Sequence, residues 1–461
     1  MKRPQGLGQT YEASHPEFDK RVLATSFNNR DPGRRPKVFI EANTIDDVVN
    51  AIARARKENL NVSVVSGGHS WNQNHLRNGS LLLSMSRFNE INVNPDKQTA
   101  TVGPGAWALD VDKAVRKHHL YFPVTHVVDV CMGGYLLQGG FGWGSTKVGP
   151  AVMSVLGADV VLADGSLVHA NEHENPDIYW AVRGSGPGFF GVVVRWHLKL
   201  HPRHKFSGMK AQVFRIEHMD EVYRWAEKIG PDVSNLVELQ LVMAQKAMGI
   251  NKPGIEVIAP VLADSWKEAR EVVEFINENP LRKKASFTTP LIPAPISWMM
   301  QFATKVLFPP TAHWCTDNMW LDAPVEDILP ELHNIHKTMP PAPSHSLWLN
   351  WNPGKQPPRP DMAFGMESQT YMAVYGEWND PADDSKYANW ATERMKALEP
   401  YGKGIQLADE NLAKRPARFT TDEKLAKLDR LREKYDPLGL FNPWGGRVLS
   451  ADELTRKVNQ E

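Results

Sequence analysis

Cysteine is scarce in this sequence, and other features that define whole classes of protein are missing. The 461 residues include only two cysteines, Cys131 and Cys315, which excludes a disulfide framework and a zinc site of the usual cysteine spacing. No apolar run approaches the roughly 18 residues of a membrane span, and the N-terminus lacks the apolar segment of a signal peptide. We therefore expect an intracellular protein without a metal site or a membrane anchor.

An excess of one charge is also missing. The chain contains 53 Lys and Arg against 53 Asp and Glu and has no basic stripe, so nucleic acid is not an expected partner. The hydrophobic fraction of 42% is that of a folded chain. Its length predicts two domains, or one large domain with an insertion. Fifteen tryptophans favour aromatic-lined pockets.

The most informative stretch is a glycine turn at residues 62–71. Its valines predict a buried strand at 62–65. Gly67 and Gly68 then let the backbone approach a ligand closely, and the amides of such a turn can hold a pyrophosphate. His69 follows at the mouth of the turn, where it is available for chemistry. Taken alone, these ten residues are equally compatible with an ordinary tight turn and a surface histidine.

Two further glycine-rich segments occur at residues 131–144 and 184–191. Neither is a P-loop, because Lys147 follows Ser145 and Thr146 instead of preceding them. Neither is a Rossmann fingerprint, because Ser145 and Phe189 occupy the position of the third glycine. Several glycine loops in one α/β segment instead predict a long, flat ligand threaded between them, the alternative being a loop-rich surface.

In order and spacing, four segments resemble the vanillyl-alcohol-oxidase (PCMH) type of flavoprotein, and specifically its berberine bridge enzyme-like group. They are Ser66–Ser70, Gly133–Gly142, the stretch 160–194 and the stretch 434–442. The resemblance implies an α+β fold. Residues 1–205 would form the FAD-binding domain, with a PCMH-type core at about 33–203, and residues 413–461 would complete it. Residues 206–412 would form an inserted substrate-binding domain, a sheet backed by helices.

The same resemblance implies FAD as the cofactor, held covalently by His69 through the flavin 8α-methyl group. Many members have a second tether, a cysteine, where this chain has Val127, so one covalent bond is expected and Cys131 is interpreted as a small packed residue. Val130 matches the family's oxygen-access position and favours O₂ as the electron acceptor. The remaining implied cofactor contacts are Ser66, Gly67, Gly68 and Ser70 at the pyrophosphate, Gly133, Gly134, Gly139 and Gly142 along the cofactor, Val194 near the adenine and Asn442 near the isoalloxazine.

A proton acceptor for substrate oxidation has to be sought in the middle of the chain. The strand at 369–378 is the best candidate, because alternation places Tyr371, Tyr375 and Glu377 on one face; the alternative is a half-exposed strand. The tyrosine that many members have before the final helix has no match at 404–409. Two further pairs are substrate-side candidates: Asn350 with Asn352, and Glu238 with Gln240. Trp71 matches an aromatic position that stacks on sugars in carbohydrate oxidases.

These observations predict an FAD-dependent oxidase that removes hydride from an alcohol or amine carbon of a small molecule, with O₂ as acceptor and H₂O₂ as product. Two alternatives stay open. One is a secondary-metabolite tailoring oxidoreductase that performs dehydrogenation or oxidative cyclisation. The other is a flavin-binding protein without turnover.

Hydrophobic periodicity also predicts individual elements. Residues 1–35 are interpreted as a polar lead-in segment. The remaining expectations are helices at 108–119, 219–229, 266–277, 325–337 and 422–435, and strands at 236–245, 347–352 and 370–378.

Overall fold

The computed structural model describes residues 8–446, so the ends of the predicted FAD-binding domain, residues 1–7 and 447–461, lie outside the described part. The helices of the described part are α1 (Phe18–Leu23), α2 (Ile45–Glu58), α3 (Ala108–Arg116), α4 (Met132–Leu137), α5 (Ser145–Val148), α6 (Pro176–Val182), α7 (Met219–Ile229), α8 (Trp266–Val272), α9 (Ile296–Leu307), α10 (Val325–Thr338), α11 (Asp384–Tyr387), α12 (Trp390–Ala397) and α13 (Asp422–Tyr435). The expected α+β class is confirmed.

The strands form three larger sheets and one short pair. They are β1 (Gln9–Glu12), β2 (Val38–Glu41), β3 (Val62–Val65), β4 (Leu81–Ser84), β5 (Ile91–Asn94), β6 (Thr99–Val102), β7 (Leu120–Tyr121), β8 (Val155–Leu162), β9 (Leu167–Asn171), β10 (Gly191–Lys199), β11 (His201–Pro202), β12 (Phe206–Arg215), β13 (Gln240–Ala244), β14 (Gly254–Ala263), β15 (Phe287–Thr288), β16 (Ile292–Pro293), β17 (His313–Leu321), β18 (His345–Asn350), β19 (Thr370–Trp378) and β20 (Gly402–Gly404).

The first 200 residues build two sheets. One has the order β1-β2-β4-β3, in which β2, β4 and β3 are parallel. The other is antiparallel, with the order β5-β6-β10-β8-β9. Helix α2 covers the first sheet, and a capping box formed by Thr44 and Asp47 begins it. A shared apolar cluster that includes Leu83 and Val192 packs the two sheets together.

The middle of the chain forms one large sheet. Its order is β15-β12-β14-β13-β18-β19-β17-β20, with β16 also paired to β12. Helices α7, α8, α10 and α12 bury apolar residues in one cluster with this sheet. The chain thus passes from the first two sheets to the large sheet near residue 205, where the domain boundary is predicted. The division into domains at 205 and 412 stays a prediction.

The segment after α13 returns to the first sheet. Phe441 bridges to Val62 of β3 in a parallel pairing. The Val62 amide donates to the Leu440 carbonyl at 2.7 Å, and the Asn442 amide donates to the Val62 carbonyl at 2.9 Å. The carboxylate of Asp436 accepts from the amides of Leu440 and Phe441. These bonds place Asn442 beside the start of the glycine turn.

The lead-in interpretation of residues 1–35 was wrong. This segment contains β1 and α1, because Tyr11, Phe18 and Val22 pack in one buried cluster with Phe39 and Leu82. These three bulky apolar residues are spread over a polar stretch, so the hydrophobic periodicity was too weak to predict β1 or α1.

The predicted helices and strands of the other segments are present, but several bounds differ. The helix expected at 108–119 ends at Arg116, and His119 has a left-handed backbone with φ of 56°. The helix expected at 266–277 ends at Val272 and continues as a short 3₁₀ turn. The strand expected at 347–352 is His345–Asn350, because Asn352 turns the chain with φ of 47°. That expected at 236–245 is shorter, Gln240–Ala244.

Candidate active site

A cavity of about 370 Å³ lies where the glycine loops of the first 200 residues meet one face of the large sheet. The turn after β3, helix α4, the loop before β10, strands β13, β18 and β19, the turn at 406–409 and the C-terminal segment all contribute to it. The predicted site residues that line it are Ser66, Gly67, Gly68, His69, Ser70, Trp71, Val127, Val130, Gly133, Gly134, Tyr371, Tyr375 and Asn442.

The glycine turn is packed so closely that side chains cannot be added to it. Gly68 has φ of 69°, and a β-carbon there would lie 1.7 Å from the Thr25 carbonyl oxygen. A β-carbon on Gly67 would lie 2.8 Å from Cys131 Sγ. Both glycines are therefore required by the fold around them as well as by any ligand in the cavity.

Helix α4 contains two adjacent glycines in different environments. A β-carbon on Gly133 would lie 2.2 Å from Ser66 Oγ, so this glycine lets α4 pack against the glycine turn. Apart from its chain neighbours and the backbone of α4, a β-carbon on Gly134 would meet no heavy atom of the described residues within 4 Å, and Gly134 is exposed to the cavity. A glycine in a helix without a packing reason costs about 1 kcal/mol relative to alanine. A flat ligand lying against Gly134 fits this site, which is the observation that matches the residues to FAD.

His69 is held from two sides. Its ring stacks on Phe27 with a centroid distance of 4.3 Å, and its Nε2 lies 3.0 Å from Asp129 Oδ1. Burial alone would raise the pKa of the Asp129 carboxyl, but the hydrogen bond with His69 and the electrostatic attraction between the two groups outweigh burial and lower it to about 2. Because the carboxylate is ionised and can only accept, Nε2 carries the proton, and Nδ1 is the ring nitrogen left for another bond.

The segment at the expected second tether contributes Val127, Val130 and Cys131 to the cavity lining. Cys131 is buried, and its thiol donates weakly to the Gly105 carbonyl at 3.3 Å. Burial raises the pKa of this thiol well above its usual value, so it stays protonated and packed.

In the same cavity, Asp409 gathers three side-chain donors. Tyr371 and Tyr375 donate their hydroxyls to Oδ2 at 2.5 and 3.0 Å, and Trp71 donates its indole N–H to Oδ1 at 2.6 Å. Burial raises the pKa of Asp409 above its usual value, although the three donors work against this shift. Burial and the Asp409 charge raise the pKa of both tyrosines well above 10. The tyrosines are therefore neutral donors next to a carboxylate with raised proton affinity.

The position of Asp409 is set by β17. Asp409 ends a 3₁₀ turn whose amides are capped by the Gln406 side chain. The backbone amide of Gln406 donates to Asn318 Oδ1 at 2.7 Å, and Asn318 Nδ2 donates back to the Gln406 carbonyl at 3.0 Å. Next to Asn318, Asp317 holds the buried Arg415 through two hydrogen bonds. These bonds fix both ends of the segment that contains Asp409.

A second polar pair crosses from the loops to the large sheet. His126 Nε2 lies 2.7 Å from Glu238 Oε1, which also accepts from Gln240 at 2.6 Å. Burial opposes protonation of His126, but the charge of Glu238 outweighs it and raises the His126 pKa. The ring also meets Trp143 edge-on at 4.7 Å. All four side chains line the cavity and form one wall of its substrate side.

The structure does not bring every predicted residue to the cavity. Glu377 shares a face of β19 with the two tyrosines but lies beyond the cavity lining, where its side chain is 2% exposed. Its Oε2 has no hydrogen-bond partner among the described residues, and burial raises its pKa to about 8. Asn350 and Asn352 also lie outside the lining, because both amides donate to the Gly230 carbonyl and hold the turn after α7.

Three residues expected along the cofactor lie outside the cavity lining. Gly139 faces Phe364, and a β-carbon on Gly142 would lie 2.0 Å from the Val124 carbonyl oxygen, so both glycines serve the turn itself. Val194 is buried in the cluster between the first two sheets and lines a separate, smaller cavity.

Sequence reasoning missed Asp409 and His126. The stretch that contains Asp409 was noted only because it lacks the tyrosine found in many family members. A carboxylate at that position can itself act as a base. His126 directly precedes Val127, and a histidine inside the apolar run 122–130 was an available signal. Glu238 and Gln240 were recognised as a pair but without a partner.

Comparisons with known proteins identify an FAD-binding domain and related proteins. The profile of a family described as an FAD binding domain matches residues 36–171. The FAD-linked oxidoreductase nodO of Hypoxylon pulicicidum is 28% identical over 414 residues, which cover 89% of this chain and 91% of that protein. Among the described residues, none of the helices has the length and hydropathy that a membrane crossing needs.

Solved structures show the same fold. The structure of 6-hydroxy-D-nicotine oxidase from Arthrobacter nicotinovorans superposes with a TM-score of 0.81 at 19% identity, covering 97% of this chain and 99% of that one. BBE-like 1 of Physcomitrella patens gives a TM-score of 0.81 at 18% identity, covering 96% and 97%. The protein is an FAD-dependent oxidoreductase with the fold of the vanillyl-alcohol-oxidase and berberine bridge enzyme-like flavoproteins.

Proposed function

We propose that this protein is an oxidase that removes hydride from an alcohol or amine carbon of a small molecule, passes the electrons to O₂ and releases H₂O₂, with its flavin held covalently by His69. The main support is that His69 and the hydrogen-bonded cluster of Asp409, Tyr371 and Tyr375 line one cavity. A cofactor tethered at His69 would thus share the cavity with a proton acceptor for the substrate.

The cofactor would lie against the glycine turn and helix α4. Bound FAD supplies the hydride acceptor, which no amino-acid side chain can provide. The turn at Gly67 and Gly68 offers converging amides for the pyrophosphate. Gly134 offers a surface without a side chain, and Asn442, fixed by its bond to Ser63 Oγ at 2.8 Å, would lie near the isoalloxazine.

Proton removal is the task of the Asp409 cluster. Loss of hydride from an alcohol or amine leaves a proton on oxygen or nitrogen that must be accepted. Both tyrosines are neutral, so a tyrosine hydroxyl accepts this proton only if it passes its own to Asp409 at the same time. This role requires the ionised form of Asp409, and its raised pKa gives that carboxylate the proton affinity that a base needs. The indole of Trp71 keeps the carboxylate oriented during the transfer.

The contact between His69 and Asp129 supports the covalent bond. Because Nε2 donates to Asp129, we assign the flavin bond to Nδ1, which keeps a lone pair; the 8α carbon would lose a proton as the bond forms, and the flavin would take up the electron pair and pass it to O₂. Asp129 would then stabilise the positive charge that the ring gains when Nδ1 is alkylated. Val127 offers no second nucleophile. Val130 at the family's oxygen-access position supports O₂ as the acceptor.

One observation favours the tailoring alternative for the substrate. Beyond the glycine loops, the cavity lining is mainly aromatic and aliphatic, and it includes Trp143, Leu307, Phe308, Leu347 and Leu349. Such a wall suits a fused-ring or otherwise apolar substrate better than an oligosaccharide, which needs many polar partners. Dehydrogenation of an apolar natural-product intermediate is therefore the second candidate function.

The test starts with the purified protein and its visible spectrum before and after acid precipitation. A yellow pellet that turns colourless in His69→Ala supports the tether at His69. Colour in the supernatant of the parent protein would refute the tether while leaving the oxidoreductase intact. H₂O₂ release is then measured against sugars, aryl alcohols, amines and polycyclic alcohols. Flavin reduction without H₂O₂ would refute the oxidase proposal.

A further inference from the structure

Far from the flavin cavity, three side chains that can bind a metal meet on one face of the five-stranded sheet. Asp159, His169 and His197 come from the adjacent strands β8, β9 and β10. Asp159 is directly opposite His169 in the register of β8 and β9, and His197 is opposite Gly157, two residues from Asp159 on the same face. The strand register therefore brings the three residues together without any contribution from a loop.

The distances fit a shared ion. His169 Nδ1 lies 2.7 Å and His197 Nε2 lies 3.0 Å from Asp159 Oδ1. One ligand atom from each of the three residues falls within 4.8 Å of the others. Ligands bound at 2.0–2.2 Å to one zinc ion have roughly this mutual spacing. All three side chains are partly buried, which limits their freedom before an ion arrives.

The sheet is shaped to accommodate the two imidazole rings. Gly157 is opposite His197 in the register, and a β-carbon on Gly157 would lie 3.4 Å from His169 Cε1. The rings approach edge to face with centroids 4.9 Å apart. Arg195 contacts the other carboxylate oxygen of Asp159 at 3.3 Å, and this leaves Oδ1 directed at the two rings. Asn175 also donates to the His169 carbonyl at 2.7 Å and steadies that strand.

We propose that Asp159, His169 and His197 bind one divalent transition-metal ion, zinc above all, on the outer face of the five-stranded sheet. Two imidazole nitrogens and one carboxylate oxygen are a donor set that zinc accepts, with solvent completing the coordination. The ion would join β9, β8 and β10. Since Val193 of β10 lines the flavin cavity, the site would brace the strand behind the cofactor.

The experiment uses the full-length flavoprotein after removal of metals by a chelator. Zn²⁺ is titrated by calorimetry, and Co²⁺ is used as an optical probe of coordination. We expect one ion per chain with a dissociation constant of micromolar or lower, visible Co²⁺ absorption bands and a higher melting temperature in Zn²⁺. His169→Ala and His197→Ala should each weaken binding by at least tenfold.

The matched control is His173→Ala, which removes an exposed histidine from the loop that follows β9. This variant should bind Zn²⁺ like the parent. The metal-free variants are also compared by melting temperature and flavin content, so that loss of binding is separated from loss of folding. The proposal is overturned if the parent binds no ion at 1:1, or if both histidine variants bind as tightly as the parent.

Discussion

Replacing Gly134 by alanine should stabilise the apoprotein and weaken FAD binding, two effects that rarely accompany each other. Gly134 is the third of six residues in α4, and apart from its chain neighbours and the backbone of α4, its added β-carbon would meet no heavy atom of the described residues within 4 Å. The methyl group would instead stand in the cavity beside the glycine turn. If FAD lies against α4, the methyl group occupies space that the cofactor needs.

The two magnitudes can be worked out separately. Alanine is favoured over glycine in a helix by about 1 kcal/mol, so the apoprotein should gain about that amount of unfolding free energy. Inserting a methyl group into a close contact costs roughly 1–3 kcal/mol. At 1.4 kcal/mol for each factor of ten, the dissociation constant for FAD should rise by about 5- to 150-fold.

The assay needs reversible binding, so it is made in the His69→Ala background, where no tether forms. FAD affinity is measured by quenching of flavin fluorescence, and apoprotein stability by urea unfolding. Two further alanine variants are matched controls. A β-carbon on Gly133 would lie 2.2 Å from Ser66 Oγ, so Gly133→Ala should lower apoprotein stability. Gly354 lies in a turn outside the cavity with space for a methyl group, so Gly354→Ala should leave FAD affinity unchanged.

An unchanged FAD affinity in Gly134→Ala, together with the expected gain in stability, would refute the reasoning. It would mean that α4 is not a cofactor surface, and that the glycine turn alone accounts for FAD binding. A loss of stability would refute the structural premise instead, because it would show that the β-carbon meets protein after all.

Three further outcomes are expected. Asp129→Asn should slow covalent flavin incorporation at least tenfold while leaving FAD binding intact, as measured by fluorescence of the denatured protein in a gel; tethering at the parent rate would contradict the role given to Asp129. Asp409→Asn should lower kcat by about 10²–10⁴-fold, and because the base must be ionised, the parent rate should rise with pH through the raised pKa of Asp409, a limb that the variant lacks. Glu377→Gln should leave turnover unchanged and raise the free energy of unfolding at high pH. The pKa of Glu377 is about 8 in the folded protein against 4.5 in the unfolded chain. The contribution of Glu377 to stability is therefore fully present below pH 4.5 and is lost as the pH rises through 8. Urea unfolding at pH 5 and pH 9 should therefore show no gain at the lower pH and a gain of a few kcal/mol at the higher.

The cofactor side of the site could be predicted because its requirements are local. The turn after β3 needs a glycine at 68, where φ is 69° and the Thr25 carbonyl leaves no space for a side chain. A backbone requirement of this kind is encoded in a few consecutive residues, and the histidine proposed to tether the flavin follows directly after them. The placement of Asn442 near the isoalloxazine was implied only by resemblance, because Asn442 and Ser63 of β3 are 379 positions apart and their segments have no pattern in common.

The substrate side could not be predicted in the same way. Asp409 lies in no helix or strand whose periodicity could predict its position. That position depends on the hydrogen bonds between Gln406, in the same turn, and Asn318, which is far away in the sequence. Alternation on β19 correctly grouped Tyr371, Tyr375 and Glu377 on one face. The alternation does not predict which of these side chains reach the cavity, because that depends on where the loops cover the strand.

The difference between the cofactor residues and the rest of the lining affects which substitutions can alter the substrate preference of the protein. The residues proposed to hold FAD are fixed by close backbone contacts, as at Gly67 and Gly68, so few substitutions are compatible with the fold there. Another part of the lining consists of residues on β13, β18 and α9, such as Val242, Leu347 and Ala303. We expect these side chains to be exchangeable one at a time. Substitutions at these three positions should therefore alter KM for different substrates while leaving flavin content and Asp409 chemistry unchanged, whereas any β-carbon added to Gly68 should abolish flavin binding together with the fold of the turn.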